Sequence, residues 1–447
     1  MHPWLVNRVI FPLHERLKGK ATHAMLQELE TTQWLDPRAL RELQFRQMLR
    51  HLRFAYREVP YYTRLLNEHE LQPWRIASFE DFARIPFLTR ELIRRHGEDL
   101  RPRTPMRGVQ PLSTGGSTGS PVTVYVDPQR AAFSDATRLR AHRWFDADIG
   151  AREIVVWGSP IELTRQDRIR ALRDRLVNSR LLSAFDLGEV AMASYGAAIR
   201  RYRPQKLYGY ASAIHFLASY LGRQGWTAGP GWPRAIFTTA EPLYDFQRAT
   251  ITSVFGCPIS VEYGCRDGGT VANECPAGGL HIAAEGMIVE VIDGEIVLTN
   301  LHTFAMPIIR YRTGDVGALE PAPCSCGRGL PRLRGVEGRQ TDFLVTPRGK
   351  ILHALAVIYV LRELPSVAEF QVIQERADAL TVRIVPRGAF GPAEQSAVRS
   401  RLRRLFDSDI DVVFEVMDAI PRLASGKHRY VISAIAAEHC KAVVTAP

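Results

Sequence analysis

Over residues 1–70, apolar side chains recur at three- and four-residue steps: Leu43, Phe45, Met48, Leu49, Leu52 and Tyr56. That spacing predicts helices with one buried face. Val59-Pro60 stops the run, because proline donates no backbone hydrogen bond and disfavours a helical residue before it. Ser78 opens another short helix that ends near Ile85-Pro86, and Thr89 can cap a further turn. From about residue 105 the period changes. Val122, Val124 and Val126 alternate strictly, which predicts a strand, and Asp127-Pro128 then opens a helix towards Trp144. The IVVW run ending at Trp157 reads as a buried strand. Helical and strand-like stretches go on alternating through AIFTTAEPL (235–243) and PISVEYG (258–264). This order predicts an α/β body with buried strands.

In MIVEVIDGEIVLTN (287–300), Asp293-Gly294 lies between two strand patterns and predicts a hairpin. Beyond Gly338 the pattern is that of a separate small domain. Val372 lies in one strand, and Leu380, Val382 and Ile384 alternate in the next. A helix from Ala393 carries Val398, Leu402 and Leu405 on one face, with Arg399 and Arg403 solvated, and Val412, Phe414 and Val416 form a last strand. The join is expected at 338–342, GRQTD, dividing the chain into 1–338 and 339–447. No internal repeat or low-complexity linker is visible.

Composition narrows the class. The 447 residues are 46% apolar and 23% charged, which excludes a mainly disordered, collagenous or membrane-embedded chain. No stretch approaches the 18 apolar residues of a spanning helix, so membrane insertion is not expected. Charge and proline break up the first residues too much for a secretory leader, so a cytoplasmic protein is expected. The net charge is +11, but Lys is found only at 18, 20, 206, 350, 427 and 441, so nearly all the 58 basic residues are Arg, scattered along the chain. Without a basic stripe, a zinc-finger spacing or an RNA-binding aromatic signature, nucleic acid is not an expected partner.

The sharpest local feature is Ser113-Thr114-Gly115-Gly116-Ser117-Thr118-Gly119-Ser120-Pro121. Its glycines permit an anion-binding nest of backbone amides, and its hydroxyls add donors, which suits a polyphosphate as well as it suits a plain surface loop. It lacks the Gly-Lys-Ser/Thr ending of a Walker loop and runs into a strand, not a helix. A second feature is Cys275, His281, Cys324 and Cys326. Three thiolates and an imidazole suit tetrahedral zinc, although buried free thiols would read the same way. Cys265 could be mistaken for a further ligand, and Cys257 and Cys440 have no comparable partners. His14, His142 and His215 form no recognisable hydrolytic triad. His302 and His353 are candidate site residues, and Trp157, Tyr208, Tyr210, Phe237 and Ala240 are candidate pocket neighbours, the first three reading equally as core aromatics.

Taken in order, the glycine loop, Val59-Pro60-Tyr61-Tyr62, Ile85-Pro86, Glu241-Pro242-Leu243, Tyr263-Gly264-Cys265-Arg266-Asp267, Tyr311-Arg312-Thr313-Gly314-Asp315, Gly338-Arg339 and Ser425-Gly426-Lys427 resemble the adenylate-forming ligase superfamily. The resemblance spans nearly the whole chain and is nearest to the phenylacetate–CoA ligase-like and CapK-like branch. It implies a large N-terminal α/β body with β-sheet subdomains and a small mobile C-terminal α+β domain. It also implies ATP-dependent activation of a small carboxylic acid to an acyl-adenylate with release of pyrophosphate, then transfer to CoA. Transfer to an amine or a sugar hydroxyl is the alternative acceptor chemistry, and a nonenzymatic nucleotide- or nucleic-acid-binding module is the alternative class. A homodimer is possible.

The resemblance also assigns residues. Ser113, Ser117, Thr118 and Gly119 are expected at the ATP phosphates, Glu241, Tyr263 and Gly264 around the nucleotide, Asp315 at the ribose hydroxyls, and Arg339 near the ribose or phosphate. Asp267 is expected to help hold Mg²⁺, and Lys427 to be the adenylation lysine. Cys275, His281, Cys324 and Cys326 are expected to bind a structural zinc, a pattern common in phenylacetate–CoA ligase-like proteins. Three positions depart from the usual pattern: Ser120 where many relatives have Lys, Asp267 where Glu is usual, and Thr341 at the hinge where many have Asp.

Overall fold

The computed structural model describes residues 1–114, 122–157, 173–184, 189–229, 231–337, 343–362, 364–420 and 430–435. Ser117, Thr118, Gly119, Arg339 and Lys427, with Cys440 and the expected join at 338–342, lie outside the described residues.

The N-terminal helices follow the sequence pattern. The helix Pro37–Glu58 is capped by the Asp36 carboxylate, which accepts from the amides of Arg38 and Ala39 at 2.9 Å, and Val59 separates it from Pro60–Glu68. Ser78 and Asp81 form a capping box on Phe79–Phe82, and Thr89 caps Arg90–Arg95. Capping of this kind satisfies backbone N–H groups that have no partner inside the helix. Two strands, β1 (Gln110–Thr114) and β2 (Val122–Val126), form an antiparallel ladder on either side of the glycine loop.

The centre of the molecule is an eleven-stranded sheet. One half is parallel: β3 (Glu153–Trp157), β4 (Ser179–Ser183), β5 (Lys206–Tyr210), β6 (Ala235–Thr239) and β7 (Ile259–Cys265), in the order β4-β3-β5-β6-β7. β6 is buried throughout, as expected of a strand covered on both faces. The other half is antiparallel: β8 (Gly269–Glu274), β9 (Leu280–Ile282), β10 (Met287–Ile292), β11 (Glu295–Asn300), β12 (Ile308–Glu320) and β13 (Arg332–Glu337). β10 and β11 are the hairpin around Asp293-Gly294, with Ile292 opposite Glu295. Parallel pairing gives way to antiparallel pairing at β7, whose neighbours are β6 and β8.

The C-terminal domain has its own core, drawn only from residues between Leu344 and Val431. It contains the pair β14 (Phe343–Val345) and β15 (Ile351–His353), and a four-stranded sheet of β16 (Val367–Arg376), β17 (Ala379–Pro386), β18 (Asp411–Val416) and β19 (Val431–Ser433), ordered β18-β17-β16-β19. The helix Pro392–Phe406 buries Val398, Leu402 and Phe406 against it. Arg399 is not simply solvated, as the sequence pattern predicts. Its guanidinium donates to the Val412 carbonyl at 3.0 Å and lies over the Phe414 ring. Arg403 likewise reaches the Ile410 carbonyl and Asp409. Long basic side chains lay their stems on apolar surface and keep the charged end at its edge. Among the described residues, no helix is long and apolar enough to cross a membrane.

Candidate active site

The C-terminal ends of parallel strands leave backbone groups and loops pointing into a crevice, the usual ligand position in such sheets. Here β6 and β7 end beside each other, and the chain after each turns sharply. Ala240, directly after β6, has a left-handed backbone (φ 67°), which costs a residue with a Cβ and turns Glu241 into the crevice. Glu241 accepts from the Ser212 amide at 3.0 Å. After β7, Cys265 accepts from the Gly268 amide at 3.1 Å, and Asn300 donates to the Gly268 carbonyl at 2.6 Å. Gly264 has a packing reason to be glycine: a Cβ there would lie 2.7 Å from the Gly269 carbonyl oxygen of the adjoining strand.

A cavity of about 480 Å³ opens at this edge. It is lined by Glu241, Tyr263, Gly264, Asp267 and Asp315, among others, and so brings together most of the described residues that the sequence nominates for nucleotide binding. Tyr263 is buried, and its hydroxyl donates to the Asp315 carboxylate at 3.0 Å. Burial and the neighbouring Asp315 both raise the phenol's pKa, so it stays protonated and acts as the donor. Asp315 is fixed from below as well, because its amide donates to the Thr313 hydroxyl at 3.0 Å and the Gly314 amide donates to Glu295 at 2.9 Å.

Asp267 is almost fully buried. Its Oδ2 accepts a short hydrogen bond from the Tyr311 hydroxyl and a longer one, 3.3 Å, from Arg90 Nη2, while Arg90 Nε donates to the Tyr311 oxygen at 3.0 Å. Burial opposes the charge on Arg90, but Tyr311 and Asp267 outweigh it and raise its pKa. Arg90 is brought here by the segment before it: Leu88 bridges to β12, with its amide on the Arg310 carbonyl and its carbonyl on the Arg312 amide, both at 3.0 Å. Sequence reasoning missed Arg90, and its place one residue after a helix cap gave no sign of it. Asp267 Oδ1 has no partner among the described residues. One free carboxylate oxygen fits Mg²⁺, which takes most of its octahedral ligands from water and phosphate.

Ser113 does not line this cavity. It pairs with Thr123 in the β1–β2 ladder, and its carbonyl accepts from Arg266 at 3.1 Å, which ties the start of the glycine loop to the turn after β7. His302 stacks on Phe133 with ring centroids 4.4 Å apart, and Phe237 packs against His142 and Phe145, and neither is among the residues lining this cavity. The His353 side chain lies outside the described residues.

Cys275, His281, Cys324 and Cys326 form one cluster whose ligand atoms all lie within 4.8 Å of one another. Cys275 Sγ and Cys324 Sγ are 3.7 Å apart, and Cys326 Sγ is 3.2 Å from His281 Nε2. Zn–S and Zn–N bonds of tetrahedral zinc imply edges of about 3.8 and 3.6 Å, so the cluster fits. His281 Nδ1 is 3.1 Å from the Leu330 carbonyl. With its proton there, Nε2 presents a lone pair to the cluster. Burial lowers the His281 pKa to about 4, so the ring is neutral. A Cβ at Gly279 would sit 2.8 Å from Cys324 Sγ and 3.2 Å from His281 Nε2, so glycine keeps the centre open. Cys265 is not in the cluster. It lies beside Asp267, and burial pushes its thiol up to about 12.

Residues 344–434 match the family of the CapK C-terminal domain. The chain is 24% identical over 410 residues to Protein CapK of Staphylococcus aureus, covering 88% of this chain and 89% of that protein. It is 28% identical over 384 residues to the phenylacetate-coenzyme A ligase of Thermus thermophilus, covering 79% and 81%. Among solved structures, 2-hydroxyisobutyryl-CoA ligase in complex with 2-HIB-AMP and CoA shares the fold, with a TM-score of 0.59 and 18% identity over 90% of this chain and 91% of that one.

Proposed function

We propose that this chain, whose sequence and fold are those of the adenylate-forming ligases in the branch of CapK and the phenylacetate–CoA ligases, activates a small carboxylic acid with ATP and passes the acyl group to coenzyme A. The observation that carries it is the cavity at the end of β7, where Tyr263 and Asp315 are joined by a hydrogen bond and Glu241 and Asp267 stand beside them.

In the first half-reaction a carboxylate oxygen attacks the α-phosphorus of ATP and pyrophosphate leaves, giving an acyl-adenylate. Asp315 accepts from the ribose hydroxyls, a charge-assisted contact that fixes the nucleoside. Tyr263 presents its ring to adenine while its hydroxyl orients Asp315. Asp267 contributes its free oxygen to Mg²⁺, which neutralises phosphate charge when bound. Arg90 and Tyr311 are positioning residues that fix the carboxylate through its other oxygen. Ser113, Ser117, Thr118, Gly119 and Arg339 serve the phosphates and ribose, and Lys427 stabilises charge developing at the α-phosphate. In the second half-reaction the CoA thiolate attacks the acyl carbonyl and AMP leaves. The division at 338–342 lets the C-terminal domain carry Lys427 away between the two steps. Cys275, His281, Cys324 and Cys326 hold a structural zinc, since four protein ligands leave no open position for chemistry.

The alternative acceptor chemistry, carried by the sequence resemblance alone, is transfer to an amine or a sugar hydroxyl in place of CoA. A screen of carboxylic acids with purified protein and MgATP tests the first half-reaction, reading pyrophosphate and acyl-adenylate mass together. Adding CoA, then amines and sugars, separates the acceptors. No acid-dependent pyrophosphate with any acid would refute the proposal.

A further inference from the structure

A second cavity, of about 530 Å³, adjoins the nucleotide cavity and shares Glu241, Glu262 and the turn after β7 with it. One wall of it is aromatic. The Trp157 ring stacks on Tyr210 with centroids 4.2 Å apart and an interplanar angle of 24°, and lies nearly parallel to Tyr208 at 6.1 Å. Trp157 ends β3, and Tyr208 and Tyr210 stand two residues apart on the neighbouring β5, so the two strands set their rings side by side. A flat aromatic wall of this kind suits a planar ring.

Glu262 interrupts that wall. Its Oε1 accepts from the Tyr208 hydroxyl at 2.8 Å and from the Thr239 hydroxyl at 3.2 Å. Its Oε2 is shielded from solvent and has no hydrogen-bond partner among the described residues. Arg138 lies over the Tyr208 ring and is attracted by the Glu262 charge, but no basic group among the described residues bonds to Oε2. Lys20 and Arg138 pair with Asp135 at 2.8 and 3.1 Å, and Arg130 donates to the Arg266 carbonyl. A shielded carboxylate oxygen without a donor is costly, and in a ligand cavity the ligand is the natural source of that donor. The donor cannot be the reacting group of the substrate, because two carboxylates in contact repel one another.

We propose that Glu262 selects an aryl carboxylic acid whose ring carries a hydrogen-bond donor, a hydroxyl or an amino group. The inference rests on the adenylation reading of the adjoining site and names the acid that site activates.

The test uses the full-length protein with MgATP and matched acids: benzoate and phenylacetate, their ring-hydroxylated and ring-aminated forms, the methoxy analogues, and straight-chain alkanoates. Wild-type kcat/KM for pyrophosphate release should be at least about 10²-fold higher for a hydroxylated or aminated aryl acid than for its unsubstituted parent, because a site built around a donor is left with an unpaired polar group by the analogue that lacks it. Hydroxyl and amino arms tell the two donors apart. Glu262→Gln keeps the shape and one acceptor oxygen for Tyr208 and Thr239, but puts an amide donor where Oε2 stood. The ratio of hydroxy to methoxy acid should therefore fall by about 10²-fold, chiefly through KM, a change of preference that loss of folding would not produce. Equal use of parent and donor-bearing acids by the wild type overturns the inference. So does an unchanged hydroxy-to-methoxy ratio in Glu262→Gln. Pyrophosphate release with alkanoates but with no aryl acid overturns the inference and leaves the adenylation reading standing, whereas no release with any acid removes both.

Discussion

Replacing Cys324 by Ser probes the Cys/His cluster. The four side chains come from two places: Cys275 and His281 flank the turn between β8 and β9, and Cys324 and Cys326 lie in the stretch between β12 and β13. Zinc would clip these together across a chain separation of 45 residues between His281 and Cys326. Treated as a cross-link that closes a loop of that length, the clip removes about 13 cal/mol/K of unfolded-chain entropy, or about 4 kcal/mol at room temperature. That is the contribution of the long loop alone, and the short loops 275–281 and 324–326 that the same metal closes add to it. Cys324→Ser exchanges a thiolate for a poor ligand and should forfeit much of it. Wild-type protein purified without added metal should carry about one zinc per chain by elemental mass spectrometry. Cys324→Ser should carry well under one and unfold at lower temperature, and a strong chelator should bring the wild type towards the variant. Per folded molecule, pyrophosphate release should change little, because the cluster does not line the nucleotide cavity. Folded wild type without zinc, with an unfolding temperature that no chelator moves, would refute the reasoning. So would a fully stable Cys324→Ser protein.

Three further outcomes are expected. Lys427→Ala should keep the fold and lose about 10²–10³ in acid-dependent pyrophosphate release, the usual cost of a preorganised charge at a reacting phosphate, while supplied acyl-adenylate still reacts with CoA; near-normal release would end the assignment of Lys427. Asp315→Asn should raise KM for ATP about 10-fold or more, the worth of a charge-assisted hydrogen bond, and Tyr263→Phe should raise it less; an unchanged KM in both would remove the nucleoside contact. Burial lowers His215 to about 4, and burial, with His302 and Arg50 adding to it, lowers His51 to about 3, from an ordinary 6.5. The unfolded chain therefore takes up protons first, so their contribution is present above pH 6.5 and is lost as pH falls from there towards 4, by up to about 3 kcal/mol for His215. Urea midpoints at pH 7.5, 6 and 5 should fall in that order and fall less steeply in His215→Leu, and equal slopes would contradict the sign.

Much of the local structure was legible because it depends on neighbours in the chain. Ser78, Thr89 and Asp127 cap helices through side chains that reach amides two or three residues away. The Asp293-Gly294 hairpin needs only its turn and two flanking strands. The motif residues Tyr263, Asp267 and Asp315 were nominated from sequence resemblance, and the fold places all three at one cavity.

What the sequence could not supply is which distant groups meet. Arg90 reaches Asp267 and Tyr311 because Leu88 adds its backbone to β12, more than two hundred residues further on. Glu262 reads in the sequence as one polar position in a strand next to a motif; only the pairing of β5, β6 and β7 puts the Tyr208 and Thr239 hydroxyls on one of its oxygens and leaves the other without a donor among the described residues. Phe237 and Tyr208 are register partners on adjacent strands and both lie against His142, yet Tyr208 also lines the aromatic cavity while Phe237 is not among its lining residues. Caps, turns and periodicities are fixed by short-range sterics and hydrogen bonding, which the local sequence determines. Cavities, buried charge pairs and unpartnered oxygens depend on strand order and register, which are decided only when the whole sheet closes its core.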